Sequence, residues 1–193
     1  NAWRRVARLL ALGPRDAGTP GAARAAAWIA AELRAAGLEP LTDTFTDETP
    51  DGPRIFRNVL AACPGKGKGE AVLLSHFDTK AGISPSFAGA NDGGSSTGLL
   101  LELAAWRRRS PPGGMSVLFA FLDGEECLRA YGANDGLHGS RRLAARLRAA
   151  GRRPEAVILL DMIGDRHLTF TLPRNGTASL KLLFLDAAEA QGC

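Results

Sequence analysis

Three runs of consecutive apolar residues break off into acidic or histidine residues, and this pattern constrains the chain more than any other. Ala71-Val72-Leu73-Leu74 leads into Ser75-His76-Phe77-Asp78, and Val117-Leu118-Phe119-Ala120-Phe121-Leu122 into Asp123-Gly124-Glu125-Glu126. Val157-Ile158-Leu159-Leu160 ends at Asp161. Unbroken Val/Leu/Ile/Phe runs suit strands buried on both faces, whereas strands with one wet face alternate. Helical spacing lies between them, over 94–107 and 138–150. Strands over 71–74, 115–122 and 156–162 alternating with helices predict a largely parallel sheet covered on both faces, an α/β fold. Upstream, Thr19-Pro20 is an N-cap followed by proline at the first helical position, and Gly37 suits the far end, which predicts a helix over 20–36. Alternation over 38–45 and 55–62, across the turn-rich 47–54, predicts a hairpin.

Composition excludes several classes. With 193 residues, 45% hydrophobic and 23% charged, the chain is globular in character and long enough for one ordinary domain. No apolar run reaches the roughly 18 to 20 residues of a membrane-spanning helix, since Glu32 and Arg34 interrupt the alanine-rich 22–36. The net charge of +4 is mostly arginine, scattered among acids on helical segments without aromatic interleaving, and reads as solvated helix faces with no nucleic-acid partner. Cys63, Cys127 and Cys193 show no C-x-x-C spacing, so neither a disulfide framework nor a thiolate zinc site is indicated. The glycine-lysine stretch 65–69 reads as a turn. The chain opens at Asn1 and stops in what reads as an unfinished helix over 177–190, so one domain spanning 1–193 is expected, incomplete at its C-terminal end and at its N-terminal end. No signal peptide is legible, and compartment and oligomeric state stay open.

In parallel sheets, ligands collect beyond the carboxyl ends of the strands. His76 and Asp78, then Asp92 at the next helix entry, then Asp123, Glu125 and Glu126, then Asp161 all fall there. Each has an ordinary reading: H-x-D as a structural pair, Asp92 as an N-cap, Glu125 and Glu126 as loop acids, Asp161 as a turn residue. Together they are costly at buried strand ends unless a cation or hydrogen-bond donors compensate. One histidine with several carboxylates suits a hard-to-borderline cation, with zinc the commonest match. No G-x-S-x-G, Walker, G-x-G-x-x-G or H-E-x-x-H motif competes. His138 and His167 read as surface or helix-start residues.

Five motifs in order carry a resemblance: Ser75-His76-Phe77-Asp78-Thr79-Lys80, Gly89-Ala90-Asn91-Asp92-Gly93, Asp123-Gly124-Glu125-Glu126, Gly139-Ser140 and Leu160-Asp161-Met162, with Leu12-Gly13-Pro14-Arg15 before them. The chain resembles metallopeptidase family 28, the zinc aminopeptidases that also include the animal-type glutaminyl cyclases. The resemblance implies a three-layer phosphorylase/hydrolase-like fold with a mixed, largely parallel central sheet, C-terminally truncated here. It implies that Asp92 bridges two zinc ions, that His76 and Asp161 complete one site, that Glu126 holds the other, that Glu125 is the general base and that Asp78 orients His76. The family's last ligand, a histidine far downstream of the Asp161 position, has no counterpart in the chain, and His167 is too near Asp161 to replace it. The resemblance also leaves a secreted or periplasmic location open.

Two chemistries fit these residues. An aminopeptidase directs metal-bound water at the first peptide carbonyl, whereas a glutaminyl cyclase lets the α-amine attack the side-chain amide. Lys80, the insertion 127–136 and Tyr131 within it lean toward the cyclases, where an aromatic at that place walls the pocket. His76 and Asp161 as an intact second metal site, and the commoner family activity, lean toward hydrolysis. The expectation is a zinc aminopeptidase acting on peptide or protein N-termini, with two ions. The alternative is a glutaminyl-peptide cyclotransferase with one ion, followed by a non-catalytic binding domain.

Overall fold

The computed structural model describes residues 1–169 and 173–192, which leaves Cys193 outside. Helices α1 (Ala2–Leu10) and α2 (Pro20–Ala35) precede strands β1 (Pro40–Thr49), β2 (Gly52–Cys63) and β3 (Glu70–His76). A wide turn, Ala90–Ser95, then opens α3 (Ser96–Arg109), followed by β4 (Ser116–Leu122), α4 (His138–Ala149), β5 (Ala156–Leu159) and α5 (Ala178–Ala190). The Thr19 side chain caps α2 at the Ala22 amide with Pro20 at its start.

The sheet runs β1-β2-β4-β3-β5. The β1–β2 and β2–β4 pairs are antiparallel, and β3–β4 and β3–β5 are parallel. The mixed sheet is therefore parallel where the acidic strand ends lie. Successive strand residues face opposite sides. Val59, Ala61, Phe119 and Phe121 pack with α1, α2 and α3 through Leu9, Ile29, Leu33, Leu100 and Leu101. Leu60, Val72, Leu118, Ala120 and Leu122 face the other way, toward Leu143 of α4. Because β3 and β4 carry apolar residues on both faces, their sequence shows no alternation.

Two expectations need correction. The hairpin break is only Pro50-Asp51, since Thr49 pairs with Gly52; the polar stretch on either side is strand, with Glu48 exposed and Asp47 turned to His138. The last strand stops at Leu159; among the described residues β5 pairs with β3 alone, and Val157 and Leu159 are exposed. Leu160 still donates to the Leu74 carbonyl at 2.9 Å, after which Met162, at φ 46°, turns the chain away. α5 begins after Thr177 as expected, but none of its described residues is buried.

Candidate metal and active site

His76, Asp92, Asp161 and the Glu125-Glu126 pair meet at the carboxyl edge of β3, β4 and β5. His76 is the last residue of β3 and is buried to 1% exposure. Its Nε2 lies 3.0 Å from Asp92 Oδ1 and 3.4 Å from Asp161 Oδ1, and its Nδ1 lies 3.4 Å from Asp78 Oδ1. These contacts are misaligned for hydrogen bonding, so among the described residues both ring nitrogens lack a hydrogen-bond partner. A buried imidazole with unpartnered nitrogens among carboxylates is what a cation site requires. One ligand atom each from His76, Asp92 and Asp161 can be gathered within 4.8 Å, and a nitrogen-oxygen set of this kind fits zinc.

Burial disfavours the imidazolium, but contact with Asp161, Asp78 and Asp92 outweighs it and holds the His76 pKa well above its ordinary value. The same contact with His76 lowers Asp161 against the effect of burial. Asp92 is not an N-cap: its backbone is non-helical within the wide turn, and Ser95 stands at the head of α3. Gly93, at φ 70°, is needed there, because a Cβ would fall 2.9 Å from the Asp78 carbonyl oxygen and 3.1 Å from the His76 ring.

Asp78 contributes more than contact with His76. Fully buried, its two carboxylate oxygens accept from the backbone amides of Glu125 at 3.1 Å and Glu126 at 3.0 Å. From the other side, the amides of Leu137, His138 and Gly139 donate to the carbonyls of Glu125, Gly124 and Asp123. The glutamate pair is thus fixed through its backbone, leaving both side chains to the site. Burial raises the pKa of Glu125, and it pushes Glu126 up to about 7 with help from Asp92 and Glu125.

Lys80 and Tyr131 also reach this edge. The Lys80 ammonium donates to the Cys127 carbonyl, lies 3.0 Å from Cys127 Sγ and stands 3.8 Å from Glu126 Oε2. The Cys127 side chain is buried, in keeping with a packing role. The Tyr131 hydroxyl is 3.3 Å from Glu125 Oε2 and 3.4 Å from Oε1, while its ring is exposed.

Several supporting residues are not evident from sequence. Asp135 caps the insertion by accepting from the amides of Leu128, Arg129 and Ala130 at 2.5, 2.8 and 3.0 Å. Arg15 is fully buried and donates to the carbonyls of Gly13, Phe77, Ala88 and Gly89, tying the His76 strand end to the start of the Asp92 turn. Asn58 accepts from the Asp123 amide and donates to the Gly139 carbonyl. Asp123, within its own motif, is buried and raised well above the usual carboxylate range by desolvation and by Asp78. Arg15 alone carries a signal, its Gly-Pro-Arg setting. His138 does begin α4 but is not a surface residue: it is buried, stacked on Phe56 at 4.4 Å and paired with Asp47 at 2.8 Å. His167 is exposed and takes no part in the cluster.

The sequence profile of peptidase family M28 matches residues 58–192, from β2 through the whole acidic edge. The chain belongs to that family. Within M28, it is 36% identical over 177 residues to a glutaminyl-peptide cyclotransferase-like protein of Bos taurus, a match covering 81% of this chain and 45% of that protein. A glutaminyl-peptide cyclotransferase of Boiga irregularis is 30% identical over 153 residues, covering 66% of this chain and 42% of that protein. The chain therefore spans less than half the length of these curated relatives. Among solved structures, an Acidobacteriales bacterium glutaminyl cyclase superposes with a TM-score of 0.91 at 37% identity, covering 99% of this chain and 67% of that one. A Zn-dependent exopeptidase from Parabacteroides distasonis superposes with a TM-score of 0.86 at 25% identity, covering 99% and 71%. These M28 neighbours share the α/β fold with its mixed sheet.

Proposed function

We propose that the intact protein is a zinc-dependent glutaminyl-peptide cyclotransferase, converting an N-terminal glutamine to pyroglutamate. The observation that carries this reading is the insertion 127–136, braced by Asp135 and Lys80, which sets the Tyr131 phenol against the Glu125 carboxylate. The names of the relatives support it, since cyclotransferases outnumber peptidases among them. The aminopeptidase expected from sequence becomes the second reading. It is favoured by one observation: His76, Asp92 and Asp161 gather around one point, and Asp92 raises the pKa of the nearby Glu126 carboxyl, the residue that would hold a second ion.

His76, Asp92, Asp161 and Glu126 are the residues that would hold zinc, which when bound polarises a carbonyl oxygen. Glu125 has the position and environment of a proton carrier, since it lies among His76, Asp92 and Asp161 and burial raises its pKa above the ordinary carboxylate value. In cyclisation it takes the proton lost by the attacking α-amine. As the bond from the side-chain carbon to nitrogen breaks, Glu125 delivers that proton to the departing ammonia. Tyr131 holds the carboxylate on one side and offers its ring as a wall for the glutamine side chain.

The test is ammonia release from a Gln-initiated peptide by the intact protein, alongside an Nα-acetylated copy of that peptide. Cyclisation predicts ammonia from the free peptide and none from the acetylated one, which has no nucleophilic amine. Ammonia from both would mark a plain amidase and refute the proposal, as would none from either.

A further inference from the structure

Asp92 and Asp161 come from different elements, so their spacing is not set by either local conformation. Two side chains of the wide turn reach across to the segment after β5. Asn91 Oδ1 accepts from the Gly164 amide at 2.8 Å, and Ser95 Oγ accepts from the Ile163 amide at 3.1 Å. Ser95 in turn donates to the Asn91 carbonyl at 2.6 Å, so both acceptors belong to one unit with Asp92 inside it. Gly164 packs so closely that a Cβ there would fall 2.7 Å from Ser95 Cβ and 3.3 Å from Asn91 Oδ1. Between Asp161 and these amides lies Met162 at φ 46°, a left-handed conformation that an L side chain rarely adopts. Such a conformation persists where its surroundings over-determine it.

We infer that Asn91 and Ser95 form a latch that sets the spacing of the Asp92 and Asp161 carboxylates around His76, and that they are positioning residues for the cation. The inference rests on the reading of His76, Asp92 and Asp161 as a metal site. Neither latch side chain is needed as a ligand. Each instead captures a backbone amide two or three residues beyond Asp161, holding the exposed β5 end against the turn that carries Asp92. Leu160 packs against the core and bonds to Leu74, so the strand is anchored up to the residue before Asp161; beyond it Met162 is exposed, and the two latch bonds are what tie the following backbone to the turn.

The test measures zinc affinity of the intact protein by competition with a chromophoric chelator, together with the melting temperature of the metal-free form. The variants are Asn91→Ala, Ser95→Ala, their double variant, Gly164→Ala and, as a ligand control, His76→Ala. Loss of residues that orient ligands weakens metal binding by about 10- to 100-fold. That range is expected for the double variant, with the melting temperature of the metal-free form close to wild type because the substitutions remove side-chain hydrogen bonds and no apolar packing. Gly164→Ala removes no hydrogen-bonding side chain and is expected to weaken zinc similarly by pushing the two segments apart. If the latch variants bind zinc as wild type does while His76→Ala does not, the latch is refuted and the metal site stands. If wild type itself shows no zinc binding that His76→Ala abolishes, the metal reading fails and the latch with it.

Discussion

Asp78 and Glu125 show how differently two carboxylates of one site are used. Asp78 commits both oxygens to the amides of Glu125 and Glu126 and works through position. Among the described residues Glu125 makes no side-chain hydrogen bond beyond the long contacts to Tyr131, and in the proposed reaction it would work through its proton. Glu125→Gln keeps the shape and removes the proton carrier, so kcat is expected to fall by about 10²- to 10⁴-fold with zinc content unchanged. Steady-state kinetics and metal analysis of the same preparation check this, and a fall in zinc content would make Glu125 a ligand instead. The residues of this scale that sequence makes legible are those with charge at a strand end: His76, Asp92, Glu125, Glu126 and Asp161. Asp135 and Asn58 are not legible, because their importance lies in backbone groups that only the folded chain presents to them. His138 misleads for a related reason: its stacking partner Phe56 and ion-pair partner Asp47 lie far from it along the chain.

At the scale of elements, the insertion 127–136 and the hairpin β1–β2 make separate predictions. The insertion is held by Asp135, and Asp135→Ala would leave the Leu128, Arg129 and Ala130 amides without their acceptor. These amides are only partly buried and can turn to water, so a cost of about 1 kcal/mol is expected, concentrated in this loop. The reading predicts a raised KM for Gln-initiated peptides with zinc affinity unchanged, measurable by kinetics beside a chelator titration. The hairpin is tied to α4 by Asp43, which is 5% exposed and accepts from Arg142 at 3.0 and 3.1 Å and pairs with Arg146 at 2.7 Å. Burial opposes its ionisation, but the two arginines prevail and lower its pKa. A carboxyl lowered in the folded state binds protons more weakly than in the unfolded chain, where it titrates at about 3.9. Its contribution is therefore full above about pH 4 and is lost as pH falls through the lower folded value. Asp43→Asn is expected to destabilise the protein by about 1–2 kcal/mol at neutral pH and to flatten the acid limb of its stability curve. Denaturant melts between acid and neutral pH test this, and parallel curves for the two proteins would contradict it. Periodicity finds most of the elements, but not α1, the two-residue hairpin turn or the short β5. Polar strand residues resemble loop when only one face is wet, and an edge strand can be apolar without being buried.

Across the whole molecule, the sheet and its flanking helices place an excess of carboxylates around one buried histidine, with Arg15 as the buried cation behind them. The His76 imidazolium and the Lys80 ammonium offset that negative charge only in part. Zinc is therefore expected to stabilise the folded state, by about 2.7 kcal/mol at a free concentration 100 times its Kd, and His76→Ala to abolish that gain. Thermal melts with and without zinc give the answer. The acidic edge is legible in the sequence because chemistry, rather than packing, dictates residue type there. Which chemistry the edge performs is less legible, since hydrolysis and cyclisation call on nearly the same residues, and the proposed distinction rests on the Tyr131 contact that the folded insertion brings to Glu125. The most direct measurement is mass spectrometry of a Gln-initiated and a Leu-initiated peptide after incubation with the intact, zinc-loaded protein. The account predicts that the first loses the mass of one ammonia and keeps its length, while the second is unchanged. Release of free leucine from the second, with no ammonia lost from the first, would contradict it and establish the aminopeptidase.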